Sequence, residues 1–147
     1  MSTTETLAEH FNGTGWSVVP TPSLNASFTG VAGAAENDVW AIGSQASRKT
    51  ENPLIEHWNG TNWSVVPSPN PAPQINNSLF SVAAVSANDV WAVGLAFGPF
   101  TEHWDGTSWS IVSTPSGLNA LGGLSAAATG TVVAVGKENN SGVILSN

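Results

Sequence analysis

The chain repeats itself, and that limits it more than any single residue does. Residues 9–19 read EHFNGTGWSVV, residues 56–66 EHWNGTNWSVV and residues 102–112 EHWDGTSWSIV, with seven of the eleven positions identical in all three. Trp16, Trp63 and Trp109 mark intervals of 47 and 46 residues. Between them a second unit recurs: FTGVAGAAENDVWAIG at 28–43, LFSVAAVSANDVWAVG at 79–94 and LGGLSAAATGTVVAVG at 121–136, the last with Val133 where the others carry Trp40 and Trp91. Repeats of this length are single supersecondary units that bury a continuous core only by stacking.

Composition decides which kind of unit. Charged residues are only 9% of the 147, so polar surface falls to Ser, Thr, Asn and Gly, which favour turns and strands. The apolar segments are short, rich in Val and Trp, and cut by Asn-Gly, Asp-Gly, Asn-Asp and Pro signals. Four strands per repeat follow. In the middle copy strand A covers about 79–86, B about 90–94, C about 100–104 and D about 109–112. Asn37-Asp38 and Asn88-Asp89 join A to B, where positive φ is expected; Asn12-Gly13, Asn59-Gly60 and Asp105-Gly106 join C to D. Pro20, Pro67 and Pro115 follow strand D and end its ladder. Strand A is built of small residues, including Ala126 to Ala128 in the last copy, as expected of an innermost strand.

This order of a small-residue strand, a B strand ending in Gly, an E-H-W-N/D-G turn and W-S-V-V-P resembles kelch-type blades and the tandem-repeat propellers common in bacteria. The resemblance covers about residues 7–145 and implies an all-β propeller of four-stranded blades. The chain begins within a blade (7–22, strands C and D), carries two complete blades (24–69 and 76–115) and ends with A and B plus a tail (118–147). That makes three blade equivalents. Closed propellers need roughly four to eight, so a six-bladed homodimer is expected, each chain's last A–B pair completed by the other's first C–D pair; a nine-bladed trimer is the alternative. The tail GVILSN at 142–147 resembles the start of strand C (NPLIEH, 52–57) and competes for the same slot.

Three basic residues against ten acidic ones give a net charge of −7, which removes nucleic acid and anionic membranes as partners. There is no cysteine, so thiolate metal sites and cysteine nucleophiles are excluded. MSTTETLAEH shows no signal-peptide pattern, and the compartment stays open. The three Glu-His pairs (9–10, 56–57, 102–103) place neighbours on opposite faces of a strand, so they are expected to bridge blades or cap turns rather than catalyse or bind metal. Sialidase-like chemistry lacks its arginines and copper-radical chemistry its Tyr and Cys. No catalytic residue, metal or cofactor is expected.

Trp16, Trp63, Trp109, Trp40 and Trp91 read as inter-blade core. Trp58 and Trp104 on strand C, with Phe11 in the first copy, are the candidates for exposure. A Trp face flanked by Glu56, Glu102, Asn59 and Asp105 is a platform for neutral carbohydrate, and E-x-W-D-G-x-x-W resembles a blade segment of fucose-binding propeller lectins. The expected function is a non-catalytic, self-assembling binding module with repeated inter-blade pockets. Two alternatives remain open: a purely structural propeller fragment without ligand, natural or engineered, and a protein–protein interaction scaffold.

Overall fold

The computed structural model describes residues 5–22, 25–127, 129–139 and 141–146. Leu24, Ala128 and Asn147, counted above among the blade bounds, the small residues of strand A and the tail, lie outside the described residues. Thirteen strands are assigned among the described residues: β1 (Ala8–Phe11), β2 (Trp16–Val19), β3 (Ala26–Ala35), β4 (Asp38–Ser47), β5 (Thr50–Trp58), β6 (Trp63–Val65), β7 (Ser78–Ser86), β8 (Asp89–Leu95), β9 (Pro99–Trp104), β10 (Trp109–Val112), β11 (Leu118–Ala126), β12 (Val132–Glu138) and β13 (Ser141–Ser146). They form a β1–β2 pair, two four-stranded antiparallel sheets ordered β3-β4-β5-β6 and β7-β8-β9-β10, and a three-stranded sheet β11-β12-β13. The four-strand reading of each full repeat holds, with β10 at the bounds expected.

Successive sheets meet through their first strands, β3 against β7 and β7 against β11. The small side chains of strand A permit that approach. Thr29 Oγ1 donates to the Leu79 carbonyl at 2.6 Å, and the Leu124 amide donates to Ser81 Oγ at 2.9 Å. The main core lies between the two full sheets. Trp40, Ile42 and Ile55 project from one side; Leu79, Val82, Val90, Ala92, Phe100 and Trp109 answer from the other. A smaller cluster of Val93, Leu121 and Ala134 joins the second full sheet to the last.

The glycine ending strand B has a specific cause. Strand A slips register beside it, between Phe28 and Gly30, Leu79 and Ser81, and Leu121 and Gly123. The slip aims a carbonyl at the glycine, so a Cβ at Gly43, Gly94 or Gly136 would collide with the oxygen of Ser27, Ser78 or Ala120. The C–D turns use the expected left-handed residue, with φ of 95°, 91° and 94° at Gly13, Gly60 and Gly106. The A–B turns of the two full sheets do not. No residue of Asn37-Asp38 or Asn88-Asp89 has positive φ; a second slip just before each turn, between Gly33 and Ala35 and between Ala84 and Ser86, takes up the strand twist instead.

The tail fills the place expected for an exchanged strand. β13 pairs along β12 from Glu138–Ser141 to Val133–Ser146, which is the strand C position. The edge that was to receive a second copy's β1 is therefore occupied by the chain itself.

Candidate functional site

Each full sheet is braced by the same three residues. Asp38 Oδ1 accepts from the Trp40 indole at 3.1 Å and lies 2.7 Å from His57 Nε2. Asp89 Oδ1 does the same for Trp91 at 2.8 Å and His103 at 2.9 Å. Each imidazole also lies on the indole, ring centres 4.3 Å apart. The brace spans strands B and C of one sheet, so these histidines tie down the A–B turn and do not bridge blades. The recurring D-x-W followed by E-H was the available signal. The last sheet carries Thr131 and Val133 at the first two positions, and among the described residues it has no such brace.

Each C–D hairpin presents a pair of aromatic rings, and the three pairs differ in cover. Trp104 and Trp109, 6.1 Å apart, lie under Trp40 of the preceding sheet at 4.9 and 5.4 Å. Trp58 and Trp63, 5.9 Å apart, are half-buried. Phe11 and Trp16, 5.4 Å apart, stand in the open, Trp16 with 69% of its surface exposed. Trp104 is thus part of a joint and not a platform, and its indole donates to the Ala87 carbonyl. Trp16, Trp63 and Trp91, expected in the core, are not fully covered.

Beside the Trp58–Trp63 pair a cleft of about 400 Å³ opens between the β1–β2 hairpin and the first full sheet. Phe28, Val31, Val39, Trp58 and Trp63 form one wall; Leu7, Ala8, Glu9, His10 and Val19 form the other. Phe28 extends the aromatic surface, 6.5 Å from Trp63. Of the seven candidate residues only Trp58 lines this cleft. A second cleft of about 490 Å³, between the second full sheet and β11–β13, is lined by Trp91, Thr114, Leu121, Val132, Ile144 and Leu145 among others. The two differ in kind, so the expected set of identical inter-blade pockets is not what the repeat produces.

The expected polar partners of the Trp platform are committed elsewhere. Asn59 Oδ1 accepts from the Thr61 and Asn62 amides, and Asp105 Oδ1 from the Thr107 hydroxyl and the Thr107 and Ser108 amides. Those bonds, Thr107's hydroxyl first, hold the Asp105 carboxyl down at about 2. Both side chains build turns. Glu56 and Glu102 are completely buried, and burial raises each carboxyl to about 7. Glu102 Oε2 accepts from Ser68 at 2.8 Å, a bond that does reach from one sheet's linker to the next sheet. Neither oxygen of Glu56 has a hydrogen-bond partner among the described residues. Thr21 stands at the position equivalent to Ser68, five residues after its tryptophan, yet bonds with Thr6 instead. Among the described residues no group of His, Asp and Glu gathers to hold a metal, and no helix is long and apolar enough to cross a membrane.

No protein-family profile matches the chain, and no curated protein matches it. Among solved structures it is similar to the one titled "YCF48 bound to D1 peptide", with a TM-score of 0.67 and 20% sequence identity over 87% of this chain. This chain spans 39% of the length of that structure. YCF48 is a β-propeller. With its stacked antiparallel sheets, this chain has the β-propeller fold.

Proposed function

We propose that the chain is a non-catalytic propeller binding module whose ligand is an extended, apolar protein segment seated between β1–β2 and the first full sheet. The uncovered aromatic wall of Trp58, Trp63 and Phe28 carries this reading. It faces β1, which among the described residues pairs on one edge only, with β2. An apolar wall beside a free strand edge suits a peptide added as a strand, its backbone bonding to β1 and alternate side chains packing on the rings. The similar YCF48 structure holds a peptide, which supports the ligand class. Two of the three histidines brace Asp and Trp, which favours a non-catalytic role. Neutral carbohydrate has weaker support, because the polar groups expected around the rings are buried or spent on turns.

The test is binding of a panel of extended apolar peptides and a panel of neutral glycans, followed by intrinsic Trp fluorescence. Peptide binding that falls about tenfold or more in Trp63→Ala is expected. Failure of every peptide overturns the reading, and glycan binding lost in Trp58→Ala replaces it with the carbohydrate one.

A second reading concerns assembly, and the exposed Phe11–Trp16 pair of the β1–β2 hairpin favours it. Two copies would supply six blade equivalents, a number that closes. Sedimentation is expected to show mass rising with concentration from 15.1 kDa towards about twice that value. A constant 15.1 kDa overturns closure.

A further inference from the structure

Resting on the closure reading, we propose that the joint between two copies is the slot now held by β13. The β1–β2 hairpin of a second copy replaces β13 on β12, setting Phe11 and Trp16 against Trp91 and Glu9 beside Thr114.

The chain already contains one complete example of this joint. Trp40, braced by Asp38 and His57, covers the Trp104–Trp109 pair of the next hairpin. Trp91 carries the same brace through Asp89 and His103, but the next sheet offers it no aromatic pair. It is half-buried where Trp40 is buried, and it lines the second cleft. The missing partner exists elsewhere on the chain. Phe11 and Trp16 repeat the geometry of Trp104–Trp109 and are the most exposed of the three pairs.

The polar contact repeats too. In the complete joint Ser68, five residues after Trp63, donates to Glu102 on strand C of the next sheet. Thr114 lies five residues after Trp109 and lines the second cleft with Leu145. Among the described residues its hydroxyl reaches only the Pro99 carbonyl, at 3.4 Å.

Register makes the substitution specific. His103 lies opposite Trp91 and Glu102 opposite Ala92. By the repeat, β1 on β12 places His10 opposite Val133 and Glu9 opposite Ala134, where β13 now places Ser146 and Leu145. Glu9 then meets Thr114 as Glu102 meets Ser68.

β13 is a poor occupant of this slot. β13 brings no aromatic residue to cover Trp91. It is a stopper that covers the edge of β12 until a better strand arrives, a common need of exposed sheet edges.

Cross-linking the full-length chain tests this. Directly opposed strand residues lie about 4.5–5.5 Å apart at Cα, within disulfide reach, and the native chain has no cysteine to interfere. Mixing His10→Cys copies with Val133→Cys copies under oxidation is expected to give a covalent dimer. Trp91→Ala and Trp16→Ala are each expected to weaken association about thirtyfold, as loss of a buried aromatic anchor does. Ile144→Pro, which disrupts the β12–β13 ladder, is expected to strengthen it. If the copies associate but do not cross-link, and Trp16→Ala associates as the native chain does, this joint is wrong while closure stands. If the mass stays at 15.1 kDa at every concentration, closure and joint both fall.

Discussion

Trp63 and Trp109 hold the same position of the same repeat, one unit apart, and the chain treats them differently. Trp109 is 5% exposed beneath Trp40, whereas Trp63 edges an open cleft. The contrast extends across the strands beside them. Val82 is 7% exposed and its equivalent Val31 is 68% exposed, although both follow the same small-residue strand. What differs is the neighbour: the second full sheet has the first behind it, and the first has only a two-stranded hairpin. A repeat therefore defines where an aromatic residue stands, and the adjacent sheet decides whether it becomes core or binding surface. In this molecule the candidate site is an inter-sheet core covered on one side by no more than a two-stranded hairpin.

The largest effect that bears on this contrast is on stability. Trp40→Ala and Trp109→Ala are each expected to cost about 3–5 kcal/mol in urea unfolding, and Trp63→Ala only about 1–2, because less surface is withdrawn from water. Equal costs would break the comparison.

Next comes pH. Burial raises Glu56 and Glu102 from 4.5 to about 7, so the folded chain keeps protons that the unfolded chain releases. Their contribution to stability is complete below pH 4.5 and is lost as the pH rises through 7. Glu56→Gln is expected to raise stability at pH 8 by on the order of 1–2 kcal/mol and to flatten the profile. Glu102→Gln gains less, since it weakens the bond from Ser68. Thermal unfolding at pH 5 and pH 8 separates the two.

Smaller still is the brace: Asp38→Asn keeps one acceptor for two donors and is expected to cost about 1 kcal/mol in the same unfolding assay. The smallest effect belongs to Trp16→Ala, which is expected to move the stability of the single chain by no more than about 0.5 kcal/mol because the indole is already in water. A larger loss would mean that the hairpin rests on the sheet more firmly than its exposure shows.

The strands themselves were plain in the sequence, because their signals are local. Asn-Gly and Asp-Gly mark the C–D turns, proline ends strand D, and Trp109–Val112 is recovered at its ends. The A–B turns showed their place but not their mechanism, since the register slip beside Ala35 and Ser86 depends on a second strand. Trp58 was recognised as half-exposed, yet its polar companions were misread. Asn59 and Asp105 are one residue from the ring in sequence but point their oxygens at their own turns. Glu56 and Glu102 looked like surface carboxylates because nothing in EHW reveals the sheet that closes over them. Phe28, Val31 and Trp63 were missed as site residues for the same reason in reverse: an apolar residue reads as core until the covering sheet is seen to be absent. GVILSN was legible as a strand C candidate, and only the pairing with β12 shows that the chain uses it on itself.

Val133 sets the third repeat apart from the first two. Each braced indole is passed forward onto the rings of the following unit, from Trp40 to Trp104 and Trp109, and Trp91 is set to do the same. The last unit has an isopropyl group at that place and nothing aromatic to pass on. Any circle made from these sectors consequently has seams of two strengths, one sealed by an indole and one meeting Trp58 and Trp63 with a valine. The looser seam keeps an apolar wall, but closure puts β12 on the one free edge of β1, so a peptide strand added to β1 and completion of the circle compete for the same edge.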